Sequence, residues 1–346
     1  MNRPIAVAVV AACLALGCWA RGQQAAAPTD VVATVGDTPI FRSELDAVVR
    51  RSVGATIPGV PDGGPTAGGP AGRMQWLEAM AIEQLVDARL LRDEIARERI
   101  TVSGLDVDTR LEQLKKQVAA RGAQWDAFLK QTGREEPAVR EQVELEIALD
   151  RLVRPKLTPA ALSEGFERHR RELDGTRMRV SHIVLRPDAA LGDDGIAATM
   201  KRAAAIRRDV VQGLLSFTDA ARRHSAGPSR LQGGDLGWIT RDAPLVDAFA
   251  RQAFKLAKGD ISKPFITPFG VHVVQVTAVE PGRVGMEAMR PKLETLLAGK
   301  VLRDMLVRLR AATPVTFAAG VAHFDPATPA DGESPRQILV GGAAAP

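Results

Sequence analysis

The chain has five histidines, the side chains whose ordinary titration lies nearest neutral pH: His169, His182, His224, His272 and His323. None pair at i, i+4, so no helix face offers two imidazoles to an ion, and no metal is expected. Two stand out by position. His182 lies in Val180-Ser181-His182-Ile183-Val184, and His272 in Val271-His272-Val273-Val274. A β-branched run reads as a strand, which aims each ring at a core or beside one. Such rings can be satisfied core residues, or they can set the shape and polarity of a pocket; the residues alone leave both readings open. Between them stands Gly233-Gly234-Asp235-Leu236-Gly237-Trp238. Its glycines permit a positive-φ path, and by itself it reads as a structural turn. Walker, G-x-S-x-G, H-E-x-x-H and EF-hand patterns are missing from the sequence. Cys13 and Cys18, the only cysteines, lie near the N-terminus. Disulfides, Cys-ligated zinc and a thiol nucleophile are therefore excluded from the rest of the chain.

The elements that must hold these histidines form a compact unit. Residues 179–185 alternate like a strand, and helical patterns follow over 196–212 and 217–223. The loop SAGPSRLQ leads into the glycine-rich turn. A helix over 246–255 and strands near 264–266 and 271–279 complete an α+β domain of about 100 residues. Ahead of it, residues 31–40 suggest a short strand pair, with Ser43 capping a helix through Arg50. Residues 54–73 read as a linker, because 11 of the 20 are Gly or Pro. Residues 75–170 read as helical. Leu77, Ala81, Leu85, Ala88, Leu91 and Ile95 form one stripe, Ser103 with Asp106 a capping box, Gly133 a C-terminal stop, and Thr158-Pro159 an N-cap with an N1 proline. An amphipathic helix over 286–310 and a strand over 314–317 follow the α+β unit, and the Ala/Pro/Gly-rich residues 325–346 read as a disordered tail.

Composition narrows the class. The chain has 346 residues with 45% apolar and 25% charged, which suits two soluble domains. The net charge of +5 is spread along the chain, and aromatics are only 4% with no Tyr, so nucleic acid is not an expected partner. Arg3 precedes an apolar run over 5–16 that is too short to span a bilayer and fits a signal-peptide core, giving a leader over 1–20. Ala15-Leu16-Gly17-Cys18 loosely matches a lipobox, which would make Cys18 a lipid anchor. The expected location is the periplasm or cell envelope.

The ordered motifs SHIVL, GGDLGW, LVDAF, the Gly-Asp-Ile-Ser turn at 259–262 and TPFGVHVV resemble the parvulin (PpiC) family of peptidyl-prolyl isomerases over residues 177–280. Less sharply, VVATVGDTPIFRSELD, the helical block over 30–174 and the segment 284–318 resemble the N-terminal module of SurA/PrsA-type chaperone-isomerases, with 54–73 as an insertion. The resemblance implies an α+β fold: a small antiparallel sheet surrounded by helices, attached to a mostly helical module on which 284–318 packs back, 314–317 pairing with Val31–Val35. It implies a cofactor-free isomerase for X-Pro bonds in unfolded or newly secreted polypeptides, with chaperone activity. His182 and His272 match the family's paired catalytic histidines. The proline pocket falls on Leu236, Leu245 and Phe249, with Thr267 and Phe269 nearby. Many parvulins carry Cys or Asp on the loop before GGDLG; here that position is Gly227, which brings no acid, base or polar side chain. Either the apolar pocket suffices, or activity is reduced. The competing reading is a non-catalytic holdase whose parvulin domain only binds peptide; a purely structural envelope protein is a third.

Overall fold

A computed structural model describes residues 30–52, 69–188, 192–325 and 338–340. The leader over 1–20, Cys18 and residues 54–68 of the Gly/Pro stretch lie outside them. Strands β1 (Val31–Val35) and β2 (Thr38–Phe41) form an antiparallel hairpin, and helix α1 (Arg42–Ser52) follows directly. Ser43 sits inside this helix and does not cap it. The helix starts one residue earlier, at Arg42, with Phe41 at the N-cap, and Glu44 at N3 reaches back to accept the Phe41 amide at 2.7 Å. Helix α2 (Gly69–Arg97) starts within the segment expected to be linker. Pro70 is tolerated there because a first-turn amide has no helical acceptor.

The helical block continues through α3 (Gly104–Ala120), α4 (Trp125–Thr132), α5 (Glu136–Val153), α6 (Pro159–Arg168) and the single turn α7 (Arg170–Leu173). Ser103 and Asp106 close the capping box on α3, Gly133 ends α4 in the left-handed region, and the Thr158 hydroxyl caps α6.

The site lies in a four-stranded antiparallel sheet of order β4–β3–β6–β5, made of β3 (Arg177–Leu185), β4 (Asp235–Thr240), β5 (Phe265–Thr267) and β6 (Gly270–Glu280). The two long strands are central and pair from Arg177↔Glu280 to Leu185↔Val271. Both faces are covered, which explains why Val180 to Leu185 is buried without alternation. On one face, Ile183, Leu185, Val271 and Val273 pack on α8 (Gly192–Val211) and α9 (Phe217–His224). On the other, Met178, Val180, Val274 and Val276 pack on Phe249, Ala253 and Phe254 of α10 (Asp247–Phe254).

The incoming and outgoing strands are stapled at their ends. Buried Asp174 accepts the Thr176 amide at 2.9 Å, its carbonyl accepts the Val284 amide at 2.9 Å, and Thr176 Oγ1 accepts the Gly282 amide at 3.1 Å. Helix α11 (Met286–Ala312) then runs back along α2, where Arg310 meets Glu83 and Asp87 and Arg308 meets the buried Glu94. Strand β7 (Val315–Phe317) pairs antiparallel with β1, Thr34 opposite Thr316. The tail departs from expectation in one place: Ile338–Val340 forms a strand (β9) on β8 (Ala322–Phe324), since three consecutive apolar residues can pair with an open edge. Residues 326–337 and 341–346 lie outside the described part.

Candidate active site

The register decides where the histidines point. His182 is opposite Val274, and Val184 is opposite His272, so the two imidazoles are diagonal neighbours on one face of the central strand pair. They continue the row that begins with Val180 and Val276, the face covered by α10. Their ring centroids are 5.6 Å apart. Phe249 stands edge-on to both, at 5.8 Å from His182 and 5.5 Å from His272, and Phe265 stacks on His272 at 5.7 Å.

Polar contacts of the pair are few. His182 Nε2 and Ser229 Oγ are 3.1 Å apart, and His272 Nε2 and Thr267 Oγ1 are 2.8 Å apart. Thr267 Oγ1 also accepts the Phe269 amide at 3.1 Å. Both Nδ1 atoms are buried and lack a hydrogen-bond partner among the described residues. Burial pushes the His182 pKa below its ordinary 6.5; burial, then the neighbouring His182, push His272 down to about 4. Both rings are therefore neutral at pH 7, the form that a water-poor site tolerates.

Leu236 and Leu245 are half-buried and join Phe249 in one apolar cluster. Thr267 is buried, with its hydroxyl on His272 Nε2. Phe269 stays apart: its side chain is 67% exposed on the turn between β5 and β6. Gly227 does lie beside His182, since a Cβ built there would fall 3.2 Å from Nε2. The loop nonetheless brings a polar group to this point, because the Ser229 hydroxyl reaches the same nitrogen. Sequence reasoning misses that residue: one serine in an irregular loop carries no periodic signal, and only its place in SAGPSRLQ hints at it.

The loop is tied to β3 at both ends. Ala226 N–H donates to the Val184 carbonyl at 2.8 Å, and His182 N–H donates to the Gly234 carbonyl at 2.9 Å. Gly234 has φ +83°, and a Cβ on it would lie 2.3 Å from the His182 carbonyl oxygen, so only glycine fits. Asp235 secures the far side of the turn, accepting the Gly237 amide at 2.9 Å and pairing with Arg179 at 2.6 Å.

Against known proteins, the PPIC-type PPIASE domain family matches residues 182–278, and the SurA-like N-terminal domain family matches residues 2–153. The chain carries a parvulin-type peptidyl-prolyl isomerase domain and a SurA-like N-terminal domain. This isomerase is 26% identical over 313 residues to the putative peptidyl-prolyl cis-trans isomerase SurA of Haemophilus influenzae, covering 84% of the chain and 89% of that protein. It is 28% identical over 218 residues to the foldase protein PrsA of Bacillus subtilis, covering 62% of the chain and 66% of the foldase. With the chaperone SurA of Cupriavidus metallidurans it shares 35% identity over 143 residues, 40% of the chain but 28% of that chaperone. Among solved structures it is similar to PrsA from Bacillus anthracis, at TM-score 0.38 and 22% identity, over 63% of the chain and 94% of that structure.

Proposed function

We propose that this isomerase is exported, catalyses cis–trans isomerisation of X-Pro bonds in unfolded or newly secreted polypeptides, and acts as a chaperone for them. The observation that carries the reading is an apolar face of Leu236, Leu245 and Phe249 set against two buried, neutral imidazoles. Rotation about a peptide bond faces a barrier of about 18–20 kcal/mol because amide resonance is lost at the twist. A twisted amide is less dipolar than a planar one, so a site poor in water favours the twist over either planar form. No covalent step and no cofactor are required.

In this reading Leu236, Leu245 and Phe249 hold the proline ring. His182 and His272 are the catalytic pair, fixing the floor's shape and its low polarity. Thr267 orients His272, and Phe269 meets the peptide outside the pocket. We assign residues 177–280 to the isomerase domain, 30–174 with 284–318 to the chaperone module, and 54–73 to an insertion. Export is supported by the charged and apolar leader over 1–20. It would place the protein in the periplasm or cell envelope, with Cys18 as the residue for a lipid anchor. The names of the relatives, a foldase and chaperones, support clients that are other polypeptides.

The test is refolding of a protein whose slow phase is limited by proline isomerisation, which takes roughly tens to hundreds of seconds uncatalysed. At amounts far below the substrate, the full chain should speed that phase in proportion to its concentration. Acceleration, or suppression of aggregation, only near equimolar amounts would reject catalysis.

A further inference from the structure

The hydrogen positions around the two imidazoles follow from the donors available. Thr267 Oγ1 already accepts the Phe269 amide, so the hydroxyl's own hydrogen needs an acceptor, and His272 Nε2 stands at 2.8 Å. That makes Nε2 the acceptor and puts the His272 proton on Nδ1. His182 then has two options. If Ser229 donated to His182 Nε2, His182 would also carry its proton on Nδ1, leaving two buried N–H groups without partners on adjoining rings. Each such donor gives up its hydrogen bonds to water on burial and gains none in return. If His182 carries its proton on Nε2 instead, that N–H donates to Ser229 Oγ at 3.1 Å, and only the His272 Nδ1–H is left without a partner. The second arrangement leaves fewer buried donors stranded.

We propose that Ser229 is a further positioning residue of the isomerase site: its hydroxyl accepts the His182 Nε2–H and so holds the ring, while its own hydrogen is left for the cleft. Gly227, beside the same nitrogen, has no side chain to compete for it. The serine is well placed for the task. It is half-buried, its carbonyl accepts the Gly234 amide at 2.9 Å, and its short helical turn (Pro228–Gln232) is bracketed by the two ties to β3. The hydroxyl thereby offers one directed donor at the edge of an otherwise apolar pocket, suited to a carbonyl oxygen of the bound peptide.

The inference rests on the isomerase reading, and its test separates the two. In the full chain with 15N-labelled histidine, long-range 15N–1H spectra report which nitrogen of His182 is protonated, the signal being assigned with His182→Gln. The expected result is Nε2–H for His182 and Nδ1–H for His272. In Ser229→Ala the His182 Nε2 proton should exchange with solvent about tenfold faster, and kcat/KM on an X-Pro peptide should fall about tenfold, the loss of one ordinary hydrogen bond. Ser229→Thr, which keeps the hydroxyl, should restore both. A His182 proton on Nδ1 overturns the inference, as does unchanged Nε2–H exchange in Ser229→Ala, or unchanged kcat/KM in a chain that catalyses. A wild-type chain that does not catalyse rejects the isomerase reading, and the two spectral readouts still decide the place of Ser229.

Discussion

Acid should unfold this protein earlier than its surface charges alone would, and His272 sets the size of the effect. The perturbation is a drop from pH 7 to pH 5. His272 is 4% exposed and its pKa lies at about 4 in the folded chain against 6.5 ordinarily. A depressed histidine pKa means that the unfolded chain takes up the proton first. Its contribution to stability is complete above about pH 6.5 and is lost as pH falls toward about 4. A tenfold difference in proton affinity between the folded and unfolded chains corresponds to about 1.36 kcal/mol, so by pH 5 the loss from this one ring is about 2 kcal/mol. His182, whose pKa is lowered in the same direction, adds to it. The window matters: depressed carboxylates such as Asp106, at about 2, lose their share of stability only at lower pH. Urea unfolding midpoints at pH 7, 6 and 5 are to be compared between wild type and His272→Asn, which fills the site without titrating. The variant should be the less stable chain at pH 7 but should lose about 2 kcal/mol less on acidification. Parallel pH profiles for the two proteins would refute the reasoning, because the imidazole would then titrate alike in folded and unfolded chains.

Other expectations follow from the same contacts. If the proline ring sits on the proposed face, Leu245→Ala removes half-buried contact surface without opening the central sheet, so kcat/KM should fall about tenfold while the thermal midpoint changes little. Phe249→Ala, by contrast, empties a core position against both histidines and should cost about 3–5 kcal/mol in denaturant unfolding. Gly234→Ala meets both a φ of +83° and the His182 carbonyl, and should lose about 3 kcal/mol or more by the same assay. Gly227→Cys should not raise kcat/KM, because its Cβ would press on Val184 Cγ1 at 2.9 Å and His182 Nε2 is already taken by Ser229.

Much of the site is legible in the sequence because its signals are long and redundant. SHIVL and GVHVV sit in β-branched runs, and antiparallel pairing of two such strands leaves little freedom in where their histidines meet. The glycine at 234 is legible as a turn, though its closeness to the His182 carbonyl is not, since that contact depends on the loop's path. Ser229 and Thr267 show the limit. Hydroxyls act through one directed hydrogen bond, which spacing does not encode. Thr267 is expected near the pocket, and its hydroxyl meets the His272 ring; Ser229 gives no signal of its contact with His182. Boundaries fail where composition outweighs local context. Gly and Pro at 69–73 read as linker, yet a helix start accepts both. Ala-, Pro- and Gly-rich surroundings hide the strand Ile338–Val340. Serine is a common N-cap, which favours Ser43 on sequence grounds, while the helix begins one residue ahead of it at Arg42.

The most direct test of the central claim is two-dimensional exchange NMR on a short X-Pro peptide held in large excess over the full chain. Cis–trans cross-peaks are expected to grow in proportion to added protein and to vanish when the protein is removed. Exchange rates indistinguishable with and without the protein would contradict catalysis by this site.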